Sequence, residues 1–151
     1  MKKILLIGRS GCGKTTLCQR LHHEEISYQK TQAVAFYADA IDTPGEYLEN
    51  RHFYSALFVS AAEADVIAFL ADPQKTETFF PPGIASYFTK PVIGIVTKIS
   101  MANESRIELT KRKLKQAGVK SVYSVDSVTG EGLDTLIEFL KMEEETCQKH
   151  C

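Results

Sequence analysis

The sequence predicts an α/β fold, with a mostly parallel six-stranded sheet, one antiparallel strand and helices on both faces. Three observations predict it. Short apolar runs alternate along the chain with helix-like stretches, as repeated strand–helix units require. Two of these runs, Val66-Ile67-Ala68-Phe69-Leu70 and Val92-Ile93-Gly94-Ile95-Val96, are apolar without alternation, as expected of central strands buried on both faces. The runs Ala33–Tyr37 and Ala38–Asp42 follow each other too closely for a helical crossover, so they should form a hairpin that contributes the antiparallel strand.

The first strand is expected at Ile4–Ile7, followed by a glycine-rich turn and the helix-compatible stretch Thr16-Leu17-Cys18-Gln19-Arg20-Leu21. After the hairpin, Tyr47–Ala64 carries Leu48, Phe53, Tyr54, Leu57 and Phe58 and should form a helix. A strand at Val66–Ala71 leads into Pro73–Lys90, which Pro81-Pro82-Gly83 divides. That segment should be a loop with at most a short helix at Ile84–Phe88. A strand at Val92–Thr97 precedes a helix over Glu104–Ala117, with Asn103 as N-cap, Ile107, Leu114 and Ala117 near one face, and Gly118 as the stop. Val122–Val125 is the last strand. Leu133, Leu136, Ile137 and Leu140 then fall at i, i+3, i+4 and i+7, the apolar stripe of a core-facing helix.

The chain has 151 residues, enough for one domain with an ordinary core; we place that domain at 1–146 and a flexible tail at 147–151. Its composition, 44% hydrophobic and 25% charged, is that of a soluble globular protein. A net charge of -1 provides no basic field for nucleic acid or anionic lipid. Gly8-Arg9-Ser10 cuts the apolar run after Met1-Lys2-Lys3 short of the roughly 7–15 residues of a signal-peptide core, so no export is expected. No stretch approaches the ~18 apolar residues of a membrane span, and the expected location is cytoplasmic. Of the four cysteines, Cys12 falls in the glycine-rich turn and Cys18 on a buried helix position. Cys147 and Cys151 flank His150 without a second ligand pair, and read as reduced thiols in a frayed tail.

Residues 8 to 15 read Gly8-Arg9-Ser10-Gly11-Cys12-Gly13-Lys14-Thr15, a complete G-x-x-x-x-G-K-[ST] phosphate-binding loop between a strand and a helix. In that context successive backbone N–H groups point inward at a helix N-terminus, where the dipole favours an anion. The polyphosphate of a nucleoside triphosphate is expected on Gly8, Ser10, Gly11, Cys12, Gly13, Lys14, Thr15 and Thr16. Lys14 supplies the point charge for the β- and γ-phosphates, a catalytic role, and the Thr15 hydroxyl is a ligand for Mg²⁺.

A second motif, Asp42-Thr43-Pro44-Gly45, ends a predicted strand. Alone, Asp-x-x-Gly is a common turn. Downstream of a phosphate loop it gives Asp42 to Mg²⁺ and the Gly45 N–H to the γ-phosphate. Between the two motifs, Tyr28-Gln29-Lys30-Thr31-Gln32 places Thr31 where switch-type NTPases supply a threonine to Mg²⁺. Glu46, directly after Gly45, is a candidate catalytic carboxylate that orients or deprotonates a nucleophile; it reads equally as an acid favouring the next helix N-terminus.

This order of motifs resembles the small Ras-like GTPases in their bacterial Era-like branch, and more specifically the EutP/PduV family of ethanolamine- and propanediol-utilisation proteins, nearer the propanediol side. The residues carrying the likeness are Gly8–Thr15, Tyr28–Ala33, Ile41–Tyr47, Leu48–Arg51, Tyr54–Leu57 and Pro91–Lys98, so it spans essentially the whole chain. In such GTPases an [N/T]-K-x-D segment reads guanine, its aspartate accepting two hydrogen bonds from the base. Here the segment reads Thr97-Lys98-Ile99-Ser100, with a hydroxyl where the carboxylate should be. The second base-reading segment, normally Ser-Ala-x, reads Asp126-Ser127-Val128 before an intact Thr129-Gly130-Glu131-Gly132-Leu133. Asp126 either faces the base in place of the missing carboxylate or caps its own loop. Thr97, Lys98 and Asp126 are therefore the candidate base contacts, and ATP and GTP both remain candidates.

The resemblance implies a Mg²⁺-dependent P-loop NTPase in ethanolamine or 1,2-propanediol utilisation, associated with a bacterial microcompartment. With water as acceptor the chain is a hydrolase; with a small carboxylate such as acetate it is an ATP-dependent kinase. A non-enzymatic nucleotide-binding adaptor for microcompartment shell or filament partners is the third possibility. No residue pair in the sequence separates the three.

Overall fold

A computed structural model describes residues 3–9, 11–21, 35–36, 40–43, 51–75 and 80–140. Strands β1 (Ile4–Ile7), β2 (Ala35–Phe36), β3 (Ala40–Asp42), β4 (Val66–Ala71), β5 (Val92–Val96) and β6 (Val122–Ser124) form, among the described residues, one sheet in the order β2-β3-β1-β4-β5-β6. Every pairing is parallel except β2 with β3, so the close spacing of those two runs does mark the antiparallel pair.

Helices cover both faces. The sheet residues sort by parity, as the period of two demands. Leu5, Ile7, Ile67, Phe69, Val92 and Val96 face one core, packed by Leu57 and Ala61 of helix α2 (Tyr54–Ala61) and Leu114 and Ala117 at the end of helix α3 (Glu104–Gln116). Ile4, Leu6, Ala68, Leu70, Ile93 and Ile95 face the other, packed by Leu17 and Cys18 of helix α1 (Lys14–Leu21). Leu133, Leu136 and Leu140 of the helical segment α4 (133–140) complete that second core, which is the stripe the sequence shows.

Local chemistry fixes the ends. The Asn103 side chain accepts the Arg106 N–H at 2.9 Å, capping α3 as expected, and Gly118 at φ 104 follows its end. One stretch differs from expectation and a second agrees with it. The helix over Tyr47–Ala64 is, within the described residues, a 3₁₀ turn at Arg51–Phe53 followed by α2. It stops at Ala61 because the chain must turn at once into β4: Ala62, Glu63 and Ala64 close tight i→i−3 bonds, and the N–H groups of Asp65 and Val66 both donate to the Lys3 carbonyl. The short helix expected at Ile84–Phe88 is a 3₁₀ turn over Ile84–Tyr87, held to the end of α3 by Gly83 N–H to Gln116 O and Ala85 N–H to Ala117 O, each 2.9 Å. Among the described residues no helix is long and apolar enough to cross a membrane. The tail at 147–151 lies outside the described residues.

Candidate functional site

Parallel strands point their C-terminal ends to one edge of a sheet, and ligands of open α/β sheets bind there. At this edge β1 runs into the phosphate loop, and the register aligns Asp42, the last residue of β3, with Leu6 of β1. The next residue, Thr43, is fully buried, and its hydroxyl donates to the Leu6 carbonyl at 2.7 Å. This bond ties the Asp42 segment to the strand that feeds the loop.

The loop itself is a compact curl. Cys12 N–H donates to Arg9 O at 3.2 Å, and Gly13 sits at φ 106, a conformation that disfavours residues with a Cβ. Gly8 is required for another reason: a Cβ there would lie 2.6 Å from Cys12 Sγ and 2.9 Å from the Leu70 carbonyl oxygen of β4. Lys14 opens α1 with its side chain folded back under the loop, only 5% exposed. Its ammonium donates to Gly8 O at 2.7 Å and Arg9 O at 2.8 Å, with Cys12 Sγ at 3.8 Å. An ammonium has three donors. Two carbonyls fix its place, and the third hydrogen meets only the weak sulfur acceptor of Cys12, which a phosphate oxygen would displace.

The segment after β5 is bolted to this loop. Thr97, 2% exposed, donates its hydroxyl to Cys12 O at 2.5 Å. Lys98 adopts φ 53, ψ 38, the left-handed conformation, unusual for a residue with a side chain. It donates from Nζ to Gly11 O at 2.8 Å and pairs with Asp72 Oδ2 at 3.3 Å. Asp72, just beyond β4, is buried, and its other oxygen accepts the Gln74 N–H at 2.9 Å. No sequence motif singles out Asp72; its place at the C-terminal end of a central strand is the signal that could have found it.

A cavity of about 200 Å³ opens beside the loop, lined by Gly13, Thr16, Thr97, Lys98, Ser100, Met101 and Asp126–Thr129. A larger cleft of about 410 Å³, lined by Phe88, Lys90, Pro91, Gly118 and Lys120 among others, lies at the opposite edge, by the starts of β5 and β6. The smaller one carries the converging polar groups and adjoins the phosphate loop, so it is the candidate base pocket.

Asp126, 3% exposed, stands at its wall. Its carboxylate accepts the N–H groups of Val128 and Thr129 at 3.0 Å each, the Ser100 N–H at 3.3 Å and, in a short contact, the Ser100 hydroxyl. Burial pushes its pKa up, but the hydrogen bonds from the Ser100 hydroxyl and the three N–H groups outweigh it and hold the carboxyl below the ordinary value.

The structure thus gathers Gly8, Gly11, Cys12, Gly13, Lys14, Thr15, Thr16, Thr97, Lys98 and Asp126 at one edge, with the Asp42 backbone beside them. Ser10, Thr31, Gly45 and Glu46 lie outside the described residues. The loop, the buried lysine and the adjoining cavity fit a nucleotide. For Mg²⁺, which commonly takes one or two protein oxygens plus phosphates and water, Thr15 in the first turn of α1 and Asp42 at the end of β3 are the described candidates.

Fold and edge together give the chain the P-loop fold of the GTPase type. Solved structures with a similar fold include a bacterial selenocysteine-specific elongation factor EF-Sec (TM-score 0.71, 19% identity, 96% of this chain and 29% of that one). Another is a variant of Aquifex aeolicus Era bound to GDP.AlF4- (TM-score 0.66, 20% identity, 93% of this chain and 56% of that one). The chain spans between about a third and just over half of these proteins, which share its fold. Residues 1–142 match the PduV-EutP profile, described as "Ethanolamine utilisation - propanediol utilisation", and the chain belongs to that family. It is 46% identical to the propanediol utilization protein PduV of Citrobacter freundii over 97% of this chain and 98% of that protein. It is 29% identical to a protein named "Probable acetate kinase EutP" of Escherichia coli K12, over 93% of this chain and 89% of that one. The likeness to the propanediol-side member is thus the greater of the two.

Proposed function

We propose that the chain binds a Mg²⁺-nucleoside triphosphate on Gly8–Thr16 and hydrolyses it as a P-loop NTPase of propanediol utilisation, at a microcompartment. The carrying observation is the Lys14 ammonium, buried beneath the loop on the carbonyls of Gly8 and Arg9, with its third hydrogen on the weak acceptor Cys12 Sγ that a phosphate oxygen would displace. Phosphoryl transfer needs positioning and charge neutralisation more than covalent help from the protein. Lys14 supplies a fixed cation, the loop N–H groups a dipolar cradle, and Thr97 and Lys98 hold the base segment against that cradle. Mg²⁺, held by Thr15, Thr31 and Asp42, would supply further charge neutralisation at the phosphates. Glu46 is the candidate for orienting the acceptor. The family's description and the 46% identical relative support the pathway.

Thermal melting with Mg-ATP or Mg-GTP tests the binding. A ligand at 100 times its Kd adds ~2.7 kcal/mol, which raises Tm by roughly 5–10 °C in a domain of this size. Lys14→Met should melt at one temperature with and without nucleotide, and no shift in the unaltered chain sinks the proposal. Phosphate release with and without acetate then separates transfer to water from transfer to a carboxylate.

A further inference from the structure

Asp126 and Ser100 make a pair whose hydrogen bonding can be counted. A carboxylate offers about four lone-pair sites. Val128 N–H and Thr129 N–H take both sites on Oδ1; the Ser100 N–H and the Ser100 hydroxyl take both on Oδ2. Nothing remains on Asp126 for a base. The hydroxyl of Ser100 has one hydrogen, and that hydrogen is committed to Asp126. Its oxygen keeps its lone pairs, and Ser100 is exposed on the cavity wall. A hydroxyl that donates to an anion is polarised, so its oxygen becomes a better acceptor. The buried carboxylate therefore turns a side chain that could donate or accept into one that only accepts.

We propose that Ser100, fixed by Asp126 as a hydrogen-bond acceptor, reads the base edge, while Asp126 positions it without touching the base. An acceptor of this kind takes an N–H, and both purines present one: guanine at N1 and its 2-amino group, adenine at its 6-amino group. One neutral hydrogen bond is worth about 0.5–1.5 kcal/mol, so GTP and ATP should bind within about tenfold of each other. This inference rests on the nucleotide-binding reading above and adds which group selects the base.

The test is calorimetric titration of the full chain with Mg-GTP and Mg-ATP. The unaltered chain should show a ratio of dissociation constants within tenfold. Ser100→Ala, at an exposed position, should weaken both nucleotides by about 2–10-fold. Asp126→Asn should do the same, because an amide can donate to the Ser100 oxygen and turn its hydrogen toward the cavity. The double variant should bind no more weakly than either single one, a dependence that general loosening of the loop would not produce. The exchange Ser100→Asp with Asp126→Ser puts a free carboxylate on the wall. It should favour GTP by more than tenfold, since guanine offers two adjacent donors and adenine sets an acceptor beside its single donor.

A GTP preference beyond tenfold in the unaltered chain overturns the inference and leaves the nucleotide-binding reading standing. Unchanged binding in Ser100→Ala, or additive losses in the double variant, overturns it as well. Binding of neither nucleotide to the unaltered chain removes the nucleotide-binding reading, and this inference with it.

Discussion

The hydroxyl of Thr97 donates to the carbonyl oxygen of Cys12 at 2.5 Å, joining two loops 85 residues apart in sequence. Both groups are buried, Thr97 at 2% exposure and Cys12 at 3%. The bond therefore ties the glycine-rich curl to the segment that follows β5. A nucleotide that spans the two regions meets a preset distance between them, and less ordering is needed on binding.

Thr97→Val keeps the shape and removes the donor. The bond to the buried Cys12 carbonyl is then lost, at a cost of about 0.5–1.5 kcal/mol. Urea unfolding should show that loss as a lower midpoint at unchanged slope. Thr97→Ser, which retains the hydroxyl, should lose less than Thr97→Val. Equal losses in the two variants would mean that the methyl group, and not the bond, carries the stability.

The carboxyl of Asp126 makes stability depend on acid. Its folded pKa is depressed below the ordinary 3.8 by the Ser100 hydroxyl and the surrounding N–H groups, which overcome the opposite pull of burial. A depressed carboxylate contributes stability that is complete above its unfolded pKa and is lost as pH falls through the folded value. Unfolding free energy should therefore fall in the window below pH ~4, where the unfolded chain takes up the proton first. Asp126→Asn removes this term: the variant should lose about 1.5–3 kcal/mol at pH 7, and the gap to the unaltered chain should narrow on acidification. A gap that stays constant from pH 7 to pH 3 would show that the carboxylate is not held ionised.

What the sequence made legible was local. The phosphate loop depends on glycines, a lysine and a threonine at fixed spacing between a strand and a helix, so Gly8–Thr15 can be read directly, as can the Asn103 cap. The unbroken apolar runs at β4 and β5 state their own burial. The cross-loop pairs were not legible. Thr97 with Cys12, Ser100 with Asp126 and Lys98 with Asp72 each join the C-terminal ends of different strands, and only the strand order brings them together. Asp126 illustrates the limit. Its residue type left open whether it faces a base or its own loop, and the four donors that reach its carboxylate come from positions the sequence does not mark.

The pair of Lys98 with Asp72 supports a third prediction. Lys98 Nζ lies 3.3 Å from Asp72 Oδ2, and the aspartate side chain is 1% exposed while the lysine remains at 36%. Removing the lysine charge leaves a buried carboxylate without its cation, which costs more than the pair's own attraction. Lys98→Met, which keeps the stem against the cavity, should therefore be clearly destabilising, whereas the same change in an Asp72→Asn background should cost less. A double-mutant cycle by urea unfolding should return a coupling of about 1 kcal/mol, inside the range for contacting residues. The cycle also separates pairing from backbone strain. Lys98 stands at φ 53, and any cost of that conformation is common to lysine and methionine, so it cancels. A coupling near zero would mean that the Gly11 carbonyl, the other partner of Nζ at 2.8 Å, holds Lys98 in place without help from Asp72.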